Sequence, residues 1–514
     1  MKKLFGILCC LLGSAFAKEV YDVNESQNTT VTDNKLRQVE SSALVSTQAL
    51  ESVPTKQNHY TSSPTSPSYY IANNNYTQQA FASMFYMSSF REESSVSQHN
   101  SFLAHTFEDG AWNFYANVGY MYSSLPSSGW AAGGGYSGLL WGQTGRSAGF
   151  ALGGSVLVAN LGTSSLNPLS SANQIIIPSN NLGTISQAYI DYQYQDKLDV
   201  LGGNIIVTNP FMQTDVAYPT SVSVAPNTYT GLQAQWQPTR DMTFTLLRTF
   251  YFKPIDANGF SQTTNYELNF QYNPSASIFT NLNQPTSGAL AAGAQFNPNS
   301  ASQTDVWLYQ FYDYVNLGYV DTNYNWQASN LVGLSMSLQG AIEQANGANI
   351  IGQQSVNSPA YIPGSPQSNV AGAKLGVNIA NWGVTAAYNN FWGTGYGNGG
   401  FVSPYTVYNV TDPFYTSSLL SGMVERGSAG SAYKLAANTN FLNSTLLFTG
   451  SYAKYLTAMV SNYPDTAEFD FTAQYVMPNF HGALVFTTEF SYLQQPAMLG
   501  GDLYSPVLWV SYAY

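Results

Sequence analysis

From about residue 110 to the C-terminus, apolar and polar positions alternate with period two in segments split by clusters of Gly, Asn, Pro and Asp. Period two is the pattern of a strand with one apolar and one polar face. In Tyr189-Ile190-Asp191-Tyr192-Gln193-Tyr194-Gln195 the even positions are apolar and the odd ones mostly polar. Tyr266 to Tyr272 repeats this with Glu267, Asn269 and Gln271 on the polar face, and Glu468 to Tyr475 does so again. Leu484, Phe486, Phe490 and Tyr492 alternate with Thr487, Glu489 and Ser491. In the last nine residues the even positions Leu508, Val510, Tyr512 and Tyr514 are all apolar or aromatic.

Lipid offers no hydrogen-bond partners, so a sheet in a membrane must close on itself and its final strand must complete the seam. The predicted class is all-β: a transmembrane antiparallel β-barrel preceded by a polar N-terminal arm. Some 400 residues at roughly 22 to 25 per strand and connection give 16–18 strands, wide enough for an aqueous channel. Turns such as Tyr194 to Leu198 and Gln237 to Asp241 are short and suit the periplasmic side. Longer irregular stretches near 160–185, 208–230, 274–303, 347–368 and 394–420 suit extracellular or inward-folded loops.

The N-terminus fits this class better than a soluble sandwich. Met1-Lys2-Lys3, the apolar run Leu4 to Leu12 and Ala15-Phe16-Ala17 have the three parts of a secretory signal peptide cleaved after Ala17. Both cysteines, Cys9 and Cys10, lie inside it, so the remainder carries no thiol chemistry. Beyond the signal no apolar run approaches the roughly 20 residues of a membrane helix. Residues 18–80 form a polar periplasmic arm, with a Ser/Thr/Pro linker from Pro54 to Pro67. Within it Leu36, Ala43 and Leu50, offset from Val39, Ser46 and Val53, have the a/d spacing of a short coiled coil, a possible source of homotrimers. Residues 81–514 are assigned to the barrel.

Charged residues make up 9% of the chain, against about 25% in an average soluble domain. Asn, Gln, Ser, Thr, Gly and Tyr take their place, as suits a wall wetted on one side and lipid-coated on the other. Removing Lys2 and Lys3 moves the formal charge from −12 to −14, which argues against nucleic acid as partner.

Several segments resemble the OprD-type porins, the substrate-selective outer-membrane channels of Gram-negative bacteria. They are Phe107-Glu108-Asp109 before an aromatic strand, Trp130-Ala131 with the Gly-rich run to Gly154, and Leu201-Gly202-Gly203 followed by Thr208-Asn209-Pro210, Asp215, Pro219 and Thr230-Gly231. Asp305 to Tyr309, Tyr312-Asp313, Glu489 to Tyr492 and Trp509 to Tyr514 continue it over most of residues 105–514. The resemblance implies a single-chain barrel of 18 strands with a loop folded inward to narrow the pore. Residues 208–230 are the candidate constriction, with Asp215 its charged member; an ordinary external loop is the alternative. The family's arginine ladder is not visible: the chain has six Arg, Arg146 and Arg240 lie in turn-like sequence, and Arg248 shares parity with Phe244, Leu246, Phe250 and Phe252.

Parity also yields a census of the lumen, because a one-residue step changes the face. Asp191, Glu267, Glu343, Glu468, Asp470 and Glu489 fall on polar faces, against Lys253, Lys374 and Lys434. A net acidic wall concentrates cations, unless its carboxylates pair with the lysines and leave a pore of little selectivity. Glycine runs at 133–135 and 393–400 lack the Lys-Ser/Thr of a phosphate loop. The four histidines show no metal spacing, and no nucleophile and base stand together, so neither cofactor nor catalysis is expected. The expected function is passive diffusion of small hydrophilic solutes and ions, in contact with outer-membrane lipid and the barrel-assembly machinery. A barrel-anchored adhesin or surface protein is the alternative.

Overall fold

The computed structural model describes residues 110–513 apart from stretches of the connections, the longest being 165–181, 213–226, 269–279, 349–364, 406–412 and 458–464. The signal peptide, the polar arm, Asp215 and Tyr514 lie outside the described residues. The strands are β1 (Ala111–Leu125), β2 (Gly129–Gln143), β3 (Phe150–Ser164), β4 (Leu182–Tyr194), β5 (Leu198–Ile205), β6 (Thr228–Thr239), β7 (Met242–Lys253), β8 (Glu267–Leu268), β9 (Thr280–Asn281) and β10 (Ala289–Asn299). They continue as β11 (Ser302–Phe311), β12 (Val315–Ser329), β13 (Val332–Ala345), β14 (Pro366–Ile379), β15 (Trp382–Gly395), β16 (Gly430–Phe441), β17 (Leu446–Thr457), β18 (Thr466–Met477), β19 (Ala483–Gln494) and β20 (Leu503–Ala513).

Eighteen of these form one antiparallel sheet, each strand beside its neighbour in chain order, with β7 passing directly to β10. Pairing of β1 with β20, from Tyr115 opposite Ala513 to Met121 opposite Val507, closes the barrel and leaves no edge. All connections at one end are short. Gln195, Ala380 and Leu442 there take positive φ near 50° to reverse the chain, and residues 240–241 make the β6–β7 turn as expected. Long connections gather at the other end: 206–227, 254–288, 346–365 and 396–429.

Alternation sets the faces. On β20 Leu508 is 48% exposed outward and Trp509 2% exposed inward. Leu140, Val158, Leu232, Leu308 and Leu435 are likewise exposed on the outside. Apolar surface of this extent would be a liability in water and is what a lipid-facing band requires. The buried aromatic cluster lies inside the barrel, where Phe211, Phe401 and Phe414 pack on Tyr309, Tyr319 and Phe391.

Three expectations are corrected. Of the expected Tyr266 to Tyr272 strand, the described residues Glu267 and Leu268 pair with Thr280 and Asn281, in a two-stranded sheet separate from the wall, and the rest lie outside the described residues. The segment lies within the 254–288 connection, so Glu267 does not line the wall. Conversely, residues 289–299 within the expected 274–303 loop form β10. Its sequence Ala289 to Ala294 lacks contrast because small residues, Ala291 and Gly293, face inward toward Tyr309 and Trp307 of β11. Third, Thr230 pairs Tyr251 while Gly231 pairs Thr249, so Phe250 is an extra residue in β7. This bulge turns Phe252 inward, away from the face of Arg248, and puts Lys253 on the parity of Tyr251.

Candidate pore and its constriction

The strand alternation places all eight carboxylates of the barrel strands on the interior side: Asp191, Asp199, Asp305, Asp321, Glu343, Glu468, Asp470 and Glu489, each buried. Lys374 and Lys434 share that side through the parity of β14 and β16. Lys253 is fully buried at the end of β7, on the outward parity. Carboxylates are kept off the outer apolar band, where an ion in lipid would find neither water nor partner.

Near the short-turn end, Arg146 in the β2–β3 turn pairs with Asp191, which also accepts from Gln143 Nε2 at 2.5 Å. Farther round, Asp305 and Asp321 stand directly opposite each other on β11 and β12. Like charges so placed repel. Gln295 and Gln303 donate to Asp305 at 2.9 and 2.6 Å, and Asn323 donates to Asp321 at 2.6 Å. Lys434 and Glu468 flank Ala453 on β16 and β18, and Asp470 and Glu489 sit diagonally on β18 and β19.

Two connections turn into the barrel. Residues 206–212 bring Phe211 among Tyr309, Tyr319, Phe401 and Phe414 at ring distances of 5.3–6.0 Å, and Tyr309 donates to Asn209 Oδ1 at 3.0 Å. The described parts of 398–424 are held to the charged wall. Val402 N donates to both oxygens of Glu343 at 3.0 and 3.2 Å, and Leu420 N donates to Glu468 at 2.6 Å. Lys434 Nζ donates to the Ser417 carbonyl at 2.5 Å, and Tyr455 OH to the carbonyls of Thr416 and Ser421 at 3.0 and 2.6 Å. Tyr415 OH donates to Asp321 at 2.5 Å with Lys374 4.5 Å over its ring. Burial, foremost, and the Asp321 charge raise the Tyr415 pKa far above the ordinary phenol value, so this hydroxyl stays a donor.

Asp191, Glu343, Glu468, Asp470, Glu489, Lys374 and Lys434 therefore stand inside the barrel. The structure does not bring them to one point: Asp191 serves the short-turn end, Glu343, Lys434 and Glu468 grip the inward segment, and Asp470 and Glu489 lie beyond it. Of the 208–230 candidate, Asn209 to Met212 is packed inside and Thr228 to Thr230 belongs to β6. Asp199, Asp305 and Asp321 escaped the parity census. Asp305 shares its face with Trp307, Tyr309 and Phe311, which reads from sequence as a lipid face although these rings point inward.

Neither a family model nor a curated protein sequence matches the chain. Among solved structures it is similar to Pseudomonas aeruginosa OccK5 (OpdH), with TM-score 0.62 at 14% identity over 80% of this chain and 99% of that one. Pseudomonas aeruginosa OccK8 (OprE) gives 0.62 at 16% identity with the same coverage. A BenF-like porin from Pseudomonas fluorescens Pf-5 gives 0.63 at 12% identity, again over 80% and 99%. The chain has the fold of the OprD-type porins, an 18-stranded closed barrel.

Proposed function

We propose that the protein is an outer-membrane porin, a passive channel for small hydrophilic solutes with a preference for cations. The observation that carries this reading is the inward segregation of all eight wall carboxylates, against Lys374, Lys434 and the Arg146 of the β2–β3 turn. A low-dielectric wall lined by excess negative charge concentrates cations in the water it encloses. The porin fold of the structural neighbours supports a channel, and a barrel-anchored surface protein is not favoured. Asp470 and Glu489 are the best candidates for groups facing permeating ions, because Glu343, Lys434 and Glu468 bind the backbone of the inward segment and Asp191 is paired with Arg146. Asp215, in the same connection as Phe211, remains a candidate member of the constriction.

The same reading places the short turns in the periplasm and the long loops outside, with cleavage after Ala17. Outer-membrane lipid surrounds the barrel, and the assembly machinery reads Leu508, Val510, Tyr512 and Tyr514. A homotrimer is the oligomer that the heptad-like spacing in the arm supports. The test is reversal potential across a planar bilayer under a salt gradient. Stepwise conductance with cation preference that falls in an Asp470→Asn/Glu489→Gln variant is expected. A folded barrel without conductance, or with anion preference, overturns the corresponding half of the reading.

A further inference from the structure

Among the described residues of the barrel strands, the outward face carries charge of one sign only. All carboxylates of these residues point inward, whereas, beside the fully buried Lys253, Arg248 on β7 and Lys454 on β17 lie on the outward parity. Both stand at the same limit of the apolar band. Across the register the row Leu246, Ala292, Leu308, Gly318, Ile342 is apolar. The next outward-facing row toward the long loops is Arg248, Leu290, Gln310, Asn316, Gln344. On the far side of the barrel, Tyr452, Phe469 and Tyr492 give way in the same direction to Lys454, Ala467 and Gln494.

Arg248 is held rather than loose. Its Nη1 donates to the carbonyls of Thr249 and Ala289 at 2.6 and 3.2 Å, and its guanidinium carbon lies 4.6 and 4.5 Å from the Phe250 and Tyr312 ring centres. Among the described residues Nη2 and Nε make no hydrogen bond and no carboxylate forms an ion pair with the group. A fixed cation at the edge of a lipid band, with two donors of its planar fork unused and aromatic rings beneath it, lacks only an anion. The anion that lipid brings to that depth is a phosphate, which an arginine fork binds through charge-assisted hydrogen bonds.

We propose that Arg248, seated on Phe250 and Tyr312, binds the phosphate of an anionic lipid in the leaflet at the long-loop end, with Lys454 a second contact across the barrel. This rests on the outer-membrane reading for the identity of that leaflet, where a phosphorylated glycolipid is the natural source.

The test is native mass spectrometry of the full-length mature protein released from detergent micelles containing diphosphoryl lipid A or its dephosphorylated analogue. Wild type should retain the phosphorylated lipid about tenfold more than the dephosphorylated one, and Arg248→Gln should lose most of that difference. Arg248→Lys should keep part of it, which separates lost charge from lost packing; heat-modifiable migration verifies that each variant is folded. Equal retention of the two lipids by wild type, or no loss in Arg248→Gln, overturns the proposal. Complete competition by millimolar inorganic phosphate also overturns it, showing a general anion site. Conductance of the same variants is expected to be unchanged, so failure here is distinguishable from failure of the channel reading.

Discussion

Glu343 shows how a single side chain is tied to the interior. Both of its oxygens accept the Val402 amide, so a carboxylate that would favour bulk water is fixed against a segment crossing the barrel. Removing the acceptor leaves a buried N–H without a partner, at a cost of about 1–3 kcal/mol. Glu343→Ala is therefore expected to loosen 398–405, lower thermal stability and raise open-channel noise in single-channel recordings. Glu343→Gln, which retains one acceptor oxygen, should lie between wild type and the alanine variant. Unchanged noise and melting in Glu343→Ala would show that the segment is held elsewhere. The position of Glu343 was legible in the sequence because its neighbours alternate cleanly; its partner was not. Val402 is 59 residues away, and no local pattern encodes a contact of that range.

At the scale of the strand, period two is reliable where inner and outer faces differ in polarity and fails where they do not. β18, β19 and β20 differ, and their faces follow from alternation, whereas β4 follows it only from Gln187 onward, past a bulge at Ser186. β11 has aromatic residues inside and Val306 and Leu308 outside, which hid Asp305. β10 is small and apolar on both faces, and β7 loses its phase at Phe250. The closing strand gives the sharpest check. Leu508 faces outward in the middle of β20, between Tyr120 of β1 and Thr488 of β19. A cation at such a site costs about 2–4 kcal/mol near the midplane. Leu508→Arg should lower the midpoint of urea unfolding in lipid vesicles and reduce the heat-modifiable form, while Leu508→Phe leaves both near wild type. Equal behaviour of the two would mean that this position does not meet lipid.

In the whole molecule the barrel wall and the inward segment depend on each other. Phe401, Phe414, Tyr415 and Met423 are apolar residues in a connection, and that composition was the one signal in the sequence that the described parts of 398–424 fold into the barrel. They are buried with residues of β11 to β17, and under the proposed channel reading this crowds permeating ions toward the carboxylates that remain. Replacing 398–424 by a short Gly-Ser linker uncovers Asp321, Glu343 and Glu468 together with Lys374 and Lys434, so the wall gains little net charge while the path widens. Screening then decides selectivity: the Debye length is about 3 Å at 1 M salt and about 10 Å at 0.1 M. Conductance is expected to rise severalfold in the deletion. Under the channel reading, cation preference should persist at 1 M in wild type, whose narrowed path keeps ions beside the wall, and in the deletion should survive only at 0.1 M. Unaltered conductance would place the narrowest point outside this segment, with 206–227 the next to be shortened.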